Sequence, residues 1–267
     1  MSLTRDPNRI YLEGMTSINA LFGGIRSGVN DRTVFRVFYD GSRKDKKYKE
    51  ISFLQSQSPV YGYSLIECSP EDLNELVSGH SHGGFVAECS ERTVPPLEGV
   101  TPVSGFYALL EGIEDPYNFG SCIRSLYAFG ANGIVVTERD WSNAASVVCR
   151  SSAGLSERIP QFRCTGPEEA VALFRKAGFR VVCANIRDSV PLEEADLSFP
   201  VLLVIGGEKR GISRAVLDAC DLNVRINYAS DFKGSLGTAA AAAILAQSVA
   251  KYNHPKTTLG GIPDAKE

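Results

Sequence analysis

The sequence predicts an α/β protein built around a parallel sheet. The run Val201–Ile205 is entirely apolar, and other apolar runs alternate with helical patterns. Such runs are typical of strands buried on both faces. A glycine loop, Gly206–Gly211, follows this run, and a helix of small residues begins near Ala239. Ligands of parallel sheets bind at the carboxyl ends of the strands. The loops of interest therefore follow Leu110, Ala184, Ile205 and Ile226.

The N-terminal part predicts a small α/β unit. Alternation of β-branched and aromatic residues indicates strands, and Ser69 before Pro70 is typical of a helix start. In order, the predicted elements are a helix over Met15–Ile25, strands over Thr33–Tyr39 and Tyr61–Ile66, a helix from Pro70 to Val77, and a strand over Phe85–Cys89.

Paired prolines within Glu91–Gly99 mark a change of composition and favour an extended linker. We predict a first domain over residues 1–93, a linker over 94–103 and a second domain over 104–267. The elements predicted for the second domain are strands at Phe106–Leu110, Gly133–Val136, Phe179–Ala184 and Val201–Ile205, and helices at Gly120–Phe129, Pro167–Lys176 and Ala239–Ala250.

Composition restricts the class of protein. The chain has 267 residues, of which 43% are hydrophobic, enough for a globular core. Residues Met1–Pro7 lack the apolar centre of a signal peptide, and Ala239–Ala250 is too short to span a bilayer. We therefore predict a cytoplasmic protein without membrane association. The seven cysteines contain no CxxC pair, so we predict that the chain has no disulfide framework and no metal site.

A basic segment stands out against a net charge of −3. Its cations are Arg43, Lys44, Lys46, Lys47 and Lys49. Two interpretations remain open, a solvated loop after a strand and a loop that contacts phosphates of a nucleic acid.

Two glycine motifs have alternative interpretations. Residues 79–83 read GHSHG, which matches the serine-hydrolase pattern, but a helix precedes them and a strand follows, the reverse of the order that this chemistry needs. Gly206 and Gly211 match part of a nucleotide-binding loop without its lysine, and no GxGxxG fingerprint is present. A strand-to-helix turn that needs glycine geometry is the alternative.

A polar loop over Glu111–Gly120 follows a predicted strand, and Arg124 lies in the helix after it. The side chains of Asn118 and Arg124 can point to the same opening of a ligand site. Alone, Asn118 is typical of a helix cap and Arg124 of a surface ion pair.

Together these segments resemble the SpoU/TrmH family of SPOUT RNA methyltransferases. Motif 1 is similar to Asp115–Gly130, motif 2 to Leu203–Ser213, and motif 3 to the segment from Ile226 through Ser235-Leu236-Gly237 into the alanine-rich helix. Arg150–Gly154 resembles the short Ser-Ala-Gly segment of the family. Ile10–Cys89 resembles, more loosely, an L30e-like substrate-binding domain.

The resemblance implies a trefoil-knotted α/β domain, a homodimer formed through it, and S-adenosylmethionine bent in the knotted cleft. The residues that it implies for cofactor binding are Gly206, Ile226, Leu236 and Gly237, with Ala184 and Asn185 at the same rim.

The implied reaction is methylation of a ribose 2′-hydroxyl in RNA. We expect the Arg124 guanidinium to face the ribose hydroxyl, which is the nucleophile. Asn118 and Ser235 are expected to orient Arg124 and the substrate, and Glu208 to maintain the structure of the cleft. Ribosomal RNA is favoured over transfer RNA, since a separate front domain suits a folded site. Where the family has Ser-Leu-Asn in motif 3, this chain has Gly237. An RNA-binding protein on the same fold that no longer catalyses is therefore the alternative.

Overall fold

The structure is a computed structural model that describes residues 5–77, 82–137 and 141–254. These residues form two compact units. The first takes in the described parts of Met1–Pro96, Ile113–Arg124 and Glu138–Arg163, and the second those of Leu97–Gly112, Ser125–Thr137 and Cys164–Glu267. Two segments beyond the expected linker therefore cluster with the N-terminal residues, and the domain limits at 93 and 104 stay a prediction.

The first unit contains a four-stranded sheet in the order β1-β4-β2-β3. Its strands are β1 (Ile10–Glu13), β2 (Val34–Asp40), β3 (Ser64–Cys68) and β4 (Phe85–Cys89). β4 pairs antiparallel with β1 and β2, whereas β2 and β3 are parallel. The helices between these strands are α1 (Gly14–Arg26), α2 (Tyr48–Tyr61) and α3 (Pro70–Leu76).

The local sequence predicted the start of helix α3 in this unit but not helix α2. The predicted start of α3 is confirmed, because the Ser69 hydroxyl accepts the Asp72 N–H at 3.1 Å while the Asp72 carboxylate accepts the Ser69 N–H. Helix α2 was not predicted. Only Ile51 and Leu54 are fully buried in it, so the sequence shows little helical spacing of apolar residues.

The second sheet has seven strands in the order β7-β6-β5-β10-β8-β11-β9. Their bounds are β5 (Phe106–Glu111), β6 (Gly133–Thr137), β7 (Gln161–Cys164), β8 (Arg180–Ala184), β9 (Val190–Pro191), β10 (Val201–Gly206) and β11 (Leu222–Arg225). The pairs from β6 across to β9 are all parallel. The remaining helices are α4 (Pro116–Ala128), α5 (Ala145–Ser151), α6 (Pro167–Lys176), α7 (Arg214–Asp218) and α8 (Thr238–Asn253).

Strand β10 lies at the centre of this sheet. It pairs with β5 on one side and β8 on the other, and every side chain from Val201 to Ile205 is buried. The predicted parallel sheet is confirmed. The strands for which no range was predicted, β7, β9 and β11, have four residues or fewer, too few for a pattern of alternation.

Candidate active site

Helix α4 begins at an acidic cap. The Asp115 carboxylate accepts the backbone N–H of Asn118 at 2.8 Å, and the Asp115 carbonyl accepts that of Phe119 at 2.9 Å. Pro116 fits the first turn, where its missing N–H costs nothing. The cap is therefore Asp115, the helix starts four residues before the predicted Gly120, and Arg124 lies exposed further along it.

Motif 1 and the Ser-Ala-Gly segment contact each other in the first unit. A Cβ at Gly120 would lie 1.9 Å from Ser151 Oγ and 2.7 Å from the Val148 carbonyl oxygen, so α5 approaches α4 closely only because residue 120 is glycine. Gly154 has a φ of +84°, and a Cβ there would lie 2.4 Å from Ala20 Cβ. These glycines are required by packing.

The second unit contains a cleft of about 710 Å³ at the carboxyl ends of three strands. The loops that follow β8, β10 and β11 form its walls, as predicted for parallel sheets. The residues proposed from sequence that line it are Ala184, Asn185, Gly206, Glu208, Ile226, Ser235, Leu236 and Gly237. All six candidate cofactor residues are thus brought together, whereas Asn118 and Arg124 belong to the first unit.

The glycine loop after β10 folds back onto the strand. A Cβ at Gly206 would lie 2.4 Å from the carbonyl carbon of Gly211 and 2.6 Å from the backbone nitrogen of Ile212. The Gly211 N–H donates to the Gly207 carbonyl at 3.0 Å, with Gly211 at a φ of +64°. Gly206 is needed for this close backbone approach, which leaves main-chain groups of the loop on the wall of the cleft.

Gly237 has a different environment. Its φ of −58° suits any residue, and nothing lies within 4 Å of the position of a Cβ. Two other polar residues that line the cleft have hydrogen-bond partners of their own, since the Asn185 amide donates to the Arg187 carbonyl at 3.1 Å and the Thr238 hydroxyl to the Gly206 carbonyl at 3.5 Å.

Glu111 anchors both ends of the motif 2 loop, a role that sequence reasoning missed. Its carbonyl accepts the Gly207 N–H at 2.7 Å, and its carboxylate Oε1 accepts the Ser213 N–H at 3.1 Å. Burial raises the pKa of this carboxyl group, and its Oε2 has no hydrogen-bond partner in the described part of the chain. A glutamate at the end of an apolar strand was the available signal.

Tyr228 holds the motif 3 loop, and no sequence pattern singles it out. Its hydroxyl accepts the Leu236 N–H at 3.1 Å, and its ring lies 5.7 Å from that of Phe232. The hydroxyl thus links the segment after β11 to the residue next to Ser235. Together, Glu111 and Tyr228 fix the two loops whose main chain surrounds the cleft.

The basic segment of the first unit follows β2 as expected, and only its C-terminal end is α-helical. It crosses a short turn and enters the first turn of α2. Three of its cations form ion pairs: Arg43 with Asp40 at 3.1 Å, Lys44 with Glu67 at 3.1 Å, and Lys47 with Glu50 at 2.8 Å. Lys46 and Lys49 are exposed.

The other candidate motifs add no site. Residues 79–81 of the GHSHG segment lie outside the described residues. Within the described ranges, no group of three or more His, Cys, Asp or Glu side chains is placed to hold a metal ion. No helix in those ranges is long and apolar enough to cross a membrane.

The model of the SpoU rRNA Methylase family matches residues 105–247, more than half of the chain. The chain belongs to this family. The match includes α4, the cleft and the start of α8, and so covers all three motifs. The protein is therefore a SpoU-family RNA methyltransferase.

Proteins of similar sequence or similar fold match most of the chain. An uncharacterized tRNA/rRNA methyltransferase of Mycolicibacterium paratuberculosis is 28% identical over 86% of this chain and 74% of its own. The SpoU methyltransferase AviRb from Streptomyces viridochromogenes, in complex with AdoMet, has a TM-score of 0.73 and 25% identity over 91% of this chain and 90% of its own. An RNA 2′-O ribose methyltransferase has a TM-score of 0.72 and 22% identity over 92% and 89%.

Proposed function

We propose that the protein transfers the methyl group of S-adenosylmethionine to a ribose 2′-hydroxyl, preferentially in ribosomal RNA. The observation that carries the proposal is the cleft, where the loops after β8, β10 and β11 bring all six candidate cofactor residues together. Among proteins of this fold, AviRb is in complex with AdoMet, and another is an RNA 2′-O ribose methyltransferase.

The residues of the cleft fit such a cofactor. Its volume of about 710 Å³ lies within the range of small-molecule sites. Apolar side chains that can pack against a nucleoside line it, among them Ile205, Ile226 and Leu245, beside main-chain groups of the glycine loop. When bound, S-adenosylmethionine supplies an electrophilic methyl group on a positively charged sulfur.

The remaining chemistry falls to side chains at the nucleophile. A ribose hydroxyl is a weak nucleophile at neutral pH, so its proton must be drawn off, or its developing negative charge stabilised, while the new O–CH₃ bond forms. A guanidinium can face that oxygen and hold a phosphate at once. We assign this role to Arg124, its orientation to Asn118 and Ser235, and the shape of the cleft to Glu208.

Three further properties belong to this proposal. The description of the matching family names rRNA, which supports ribosomal RNA over transfer RNA as substrate. By the resemblance to SPOUT enzymes, we expect a knotted domain that forms a homodimer. RNA methylation also suits a cytoplasmic protein.

The test replaces the proposed catalytic arginine. Arg124→Ala should lower kcat for methyl transfer by about 10²–10³, the usual effect of losing one group that stabilises a developing oxyanion. Calorimetry with S-adenosylmethionine should give the wild-type Kd, because no role in cofactor binding is assigned to Arg124. Arg214→Ala is the matched control, since Arg214 is exposed and paired with Asp218 on α7. Normal turnover by the Arg124 variant would remove the assignment.

The substrate is found by mapping 2′-O-methylation in total RNA from cells with and without the gene. Loss of one ribosomal methyl group would support the proposal, and loss from transfer RNA would change the substrate. Gly237 favours the alternative, an RNA-binding protein without catalysis. Unaltered RNA in the deletion strain, together with no calorimetric response to S-adenosylmethionine, would favour that alternative.

A further inference from the structure

The first residue of α2 presents an exposed aromatic ring. Tyr48 is 70% exposed, more than any other aromatic side chain in the described ranges. The helix is held to its unit by Ile51 and Leu54, which are buried, so the Tyr48 ring is not needed for packing. A single exposed ring is ordinary on a protein surface. What distinguishes Tyr48 is its position within the basic segment.

Only part of the basic segment is available to a ligand. The cations of Arg43, Lys44 and Lys47 are each paired with a carboxylate. Lys46 and Lys49 are exposed and form no ion pair with any residue that the structure describes. In the sequence, Lys49 directly follows Tyr48 and Lys46 lies two residues before it. The available groups are thus one aromatic face and two ammonium groups.

An exposed aromatic ring with two exposed cations close to it in the sequence suits a polyanion that carries aromatic groups. In single-stranded RNA the bases can stack on aromatic side chains while lysines contact the phosphates. A regular duplex keeps its bases stacked on each other and offers no face to the ring. We infer that Tyr48 stacks on an unpaired base of the substrate RNA, with Lys46 and Lys49 at the neighbouring phosphates.

The inference rests on the proposed function for the identity of the partner as RNA, and it narrows the substrate to RNA that presents an unpaired nucleotide to the first unit. An acidic peptide would be attracted by the two lysines, but its carboxylates are anionic and carry no aromatic face that could stack on the ring. Dependence on the ring therefore distinguishes the two partners.

The test uses the full chain and two labelled probes, a 12-nucleotide oligoadenylate and a 12-base-pair RNA duplex, in fluorescence anisotropy titrations. Tyr48→Ala should weaken binding of the single strand by about 5- to 150-fold, the usual effect of losing one base-stacking aromatic. Binding of the duplex should not change. Tyr48→Phe should bind like the wild type, because stacking needs the ring and not the hydroxyl. Equal affinities of Tyr48→Ala and wild type for the single strand would overturn the inference.

A matched set of lysine variants tests the charges. Lys46→Gln and Lys49→Gln should each reduce the slope of log K against log salt by about 0.7, the value expected for one phosphate contact on a single strand. Lys47→Gln should leave the slope unchanged, because its ammonium group is already paired with Glu50. The same loss of slope in all three variants would show a diffuse basic surface and contradict the inference. Binding of polyglutamate that depends on Lys46 and Lys49 but not on Tyr48, without binding of the single-stranded RNA, would assign the surface to an acidic protein and overturn the inference.

Calorimetry with S-adenosylmethionine on the wild type and on Tyr48→Ala separates this inference from the proposed function. If the wild type binds RNA through Tyr48 but neither binds the cofactor nor methylates RNA, the proposed function fails and the stacking surface stands. If the enzyme methylates RNA and Tyr48→Ala leaves RNA affinity and KM unchanged, the stacking surface fails and the proposed function stands.

Discussion

The buried ionic cluster of the first unit and the cleft of the second use polar groups in opposite ways. In the cluster, Glu157 and Arg32 are only 3% and 8% exposed. Arg32 Nε donates to the Glu157 carboxylate at 2.9 Å and Arg32 Nη1 to the Ser90 carbonyl at 2.7 Å, while the Asn30 amide donates to the same carboxylate. Arg92 donates to three main-chain carbonyls nearby. Charge is enclosed and almost completely paired.

The cleft has exposed polar side chains and main chain made accessible by small residues. Glu208 and Ser235 are exposed on its rim, and Gly206 lets two stretches of backbone touch. The contrast separates two uses of polarity. Enclosed charge holds distant segments of one unit together, whereas the polar side chains on the rim of the cleft are exposed to solvent. Substitutions in the cluster should therefore cost stability, and substitutions in the cleft should cost binding.

The largest effect is expected from Arg32→Met. The variant leaves the Glu157 carboxylate buried without its main partner, which should lower the free energy of unfolding by about 3–5 kcal/mol. Urea denaturation measures this loss. The double variant Arg32→Met/Glu157→Met should recover part of it, because no unpaired carboxylate remains. A single variant within 1 kcal/mol of wild type, roughly the worth of an exposed pair, would show that the cluster is not structural.

In Arg32→Met, the pH dependence of the free energy of unfolding should have the opposite sign to that of the wild type. Burial alone would raise the pKa of Glu157, but Arg32 and the hydrogen bonds lower it below its usual value. Its contribution is therefore present above the unfolded-state pKa of about 4.3 and lost as pH falls through the lower folded-state pKa. Without Arg32, burial dominates and the folded-state pKa rises, so acidification should relieve the destabilisation. Urea midpoints between pH 4 and pH 7 test this prediction.

The next effect compares two glycines of the cleft. Gly206→Ala forces a Cβ to within 2.4 Å of the Gly211 carbonyl carbon, so the loop must move. We expect the free energy of unfolding to fall by about 1–3 kcal/mol, and the binding free energy for S-adenosylhomocysteine to weaken by a comparable amount. Gly237→Ala is the control, since its Cβ meets nothing and its φ of −58° is allowed. It should keep full stability or gain about 0.4–1 kcal/mol. A wild-type Kd in Gly206→Ala would show that the glycine loop does not shape the site.

The smallest effect is expected from Tyr228→Phe. The variant removes one hydrogen bond, from the Leu236 N–H, and keeps the ring beside Phe232. The loss of about 0.5–1.5 kcal/mol should appear as a roughly 2- to 10-fold weaker Kd for S-adenosylhomocysteine, with little change in Tm. If Tyr228→Leu weakens binding while Tyr228→Phe does not, ring packing rather than the hydroxyl holds the loop.

Sequence reasoning succeeded where the pattern is strong and local. The buried run of β10 and the capped helix α3 were predicted because their residues show the pattern themselves. Helix α2 was missed because it buries only Ile51 and Leu54. The six cofactor positions were chosen by resemblance, and the geometry brings them into one cleft. Their individual roles stay predictions.

The sequence by itself determined the fold class and the order of the three motifs, because apolar spacing and motif residues lie close together in the chain. Tertiary structure alone decided which distant groups meet. Arg32 reaches Glu157 across 125 residues, and Glu111 reaches Ser213 across 102. The physical reason is that the periodicity of a segment specifies the face that it buries, whereas the partner on that face depends on how remote segments pack.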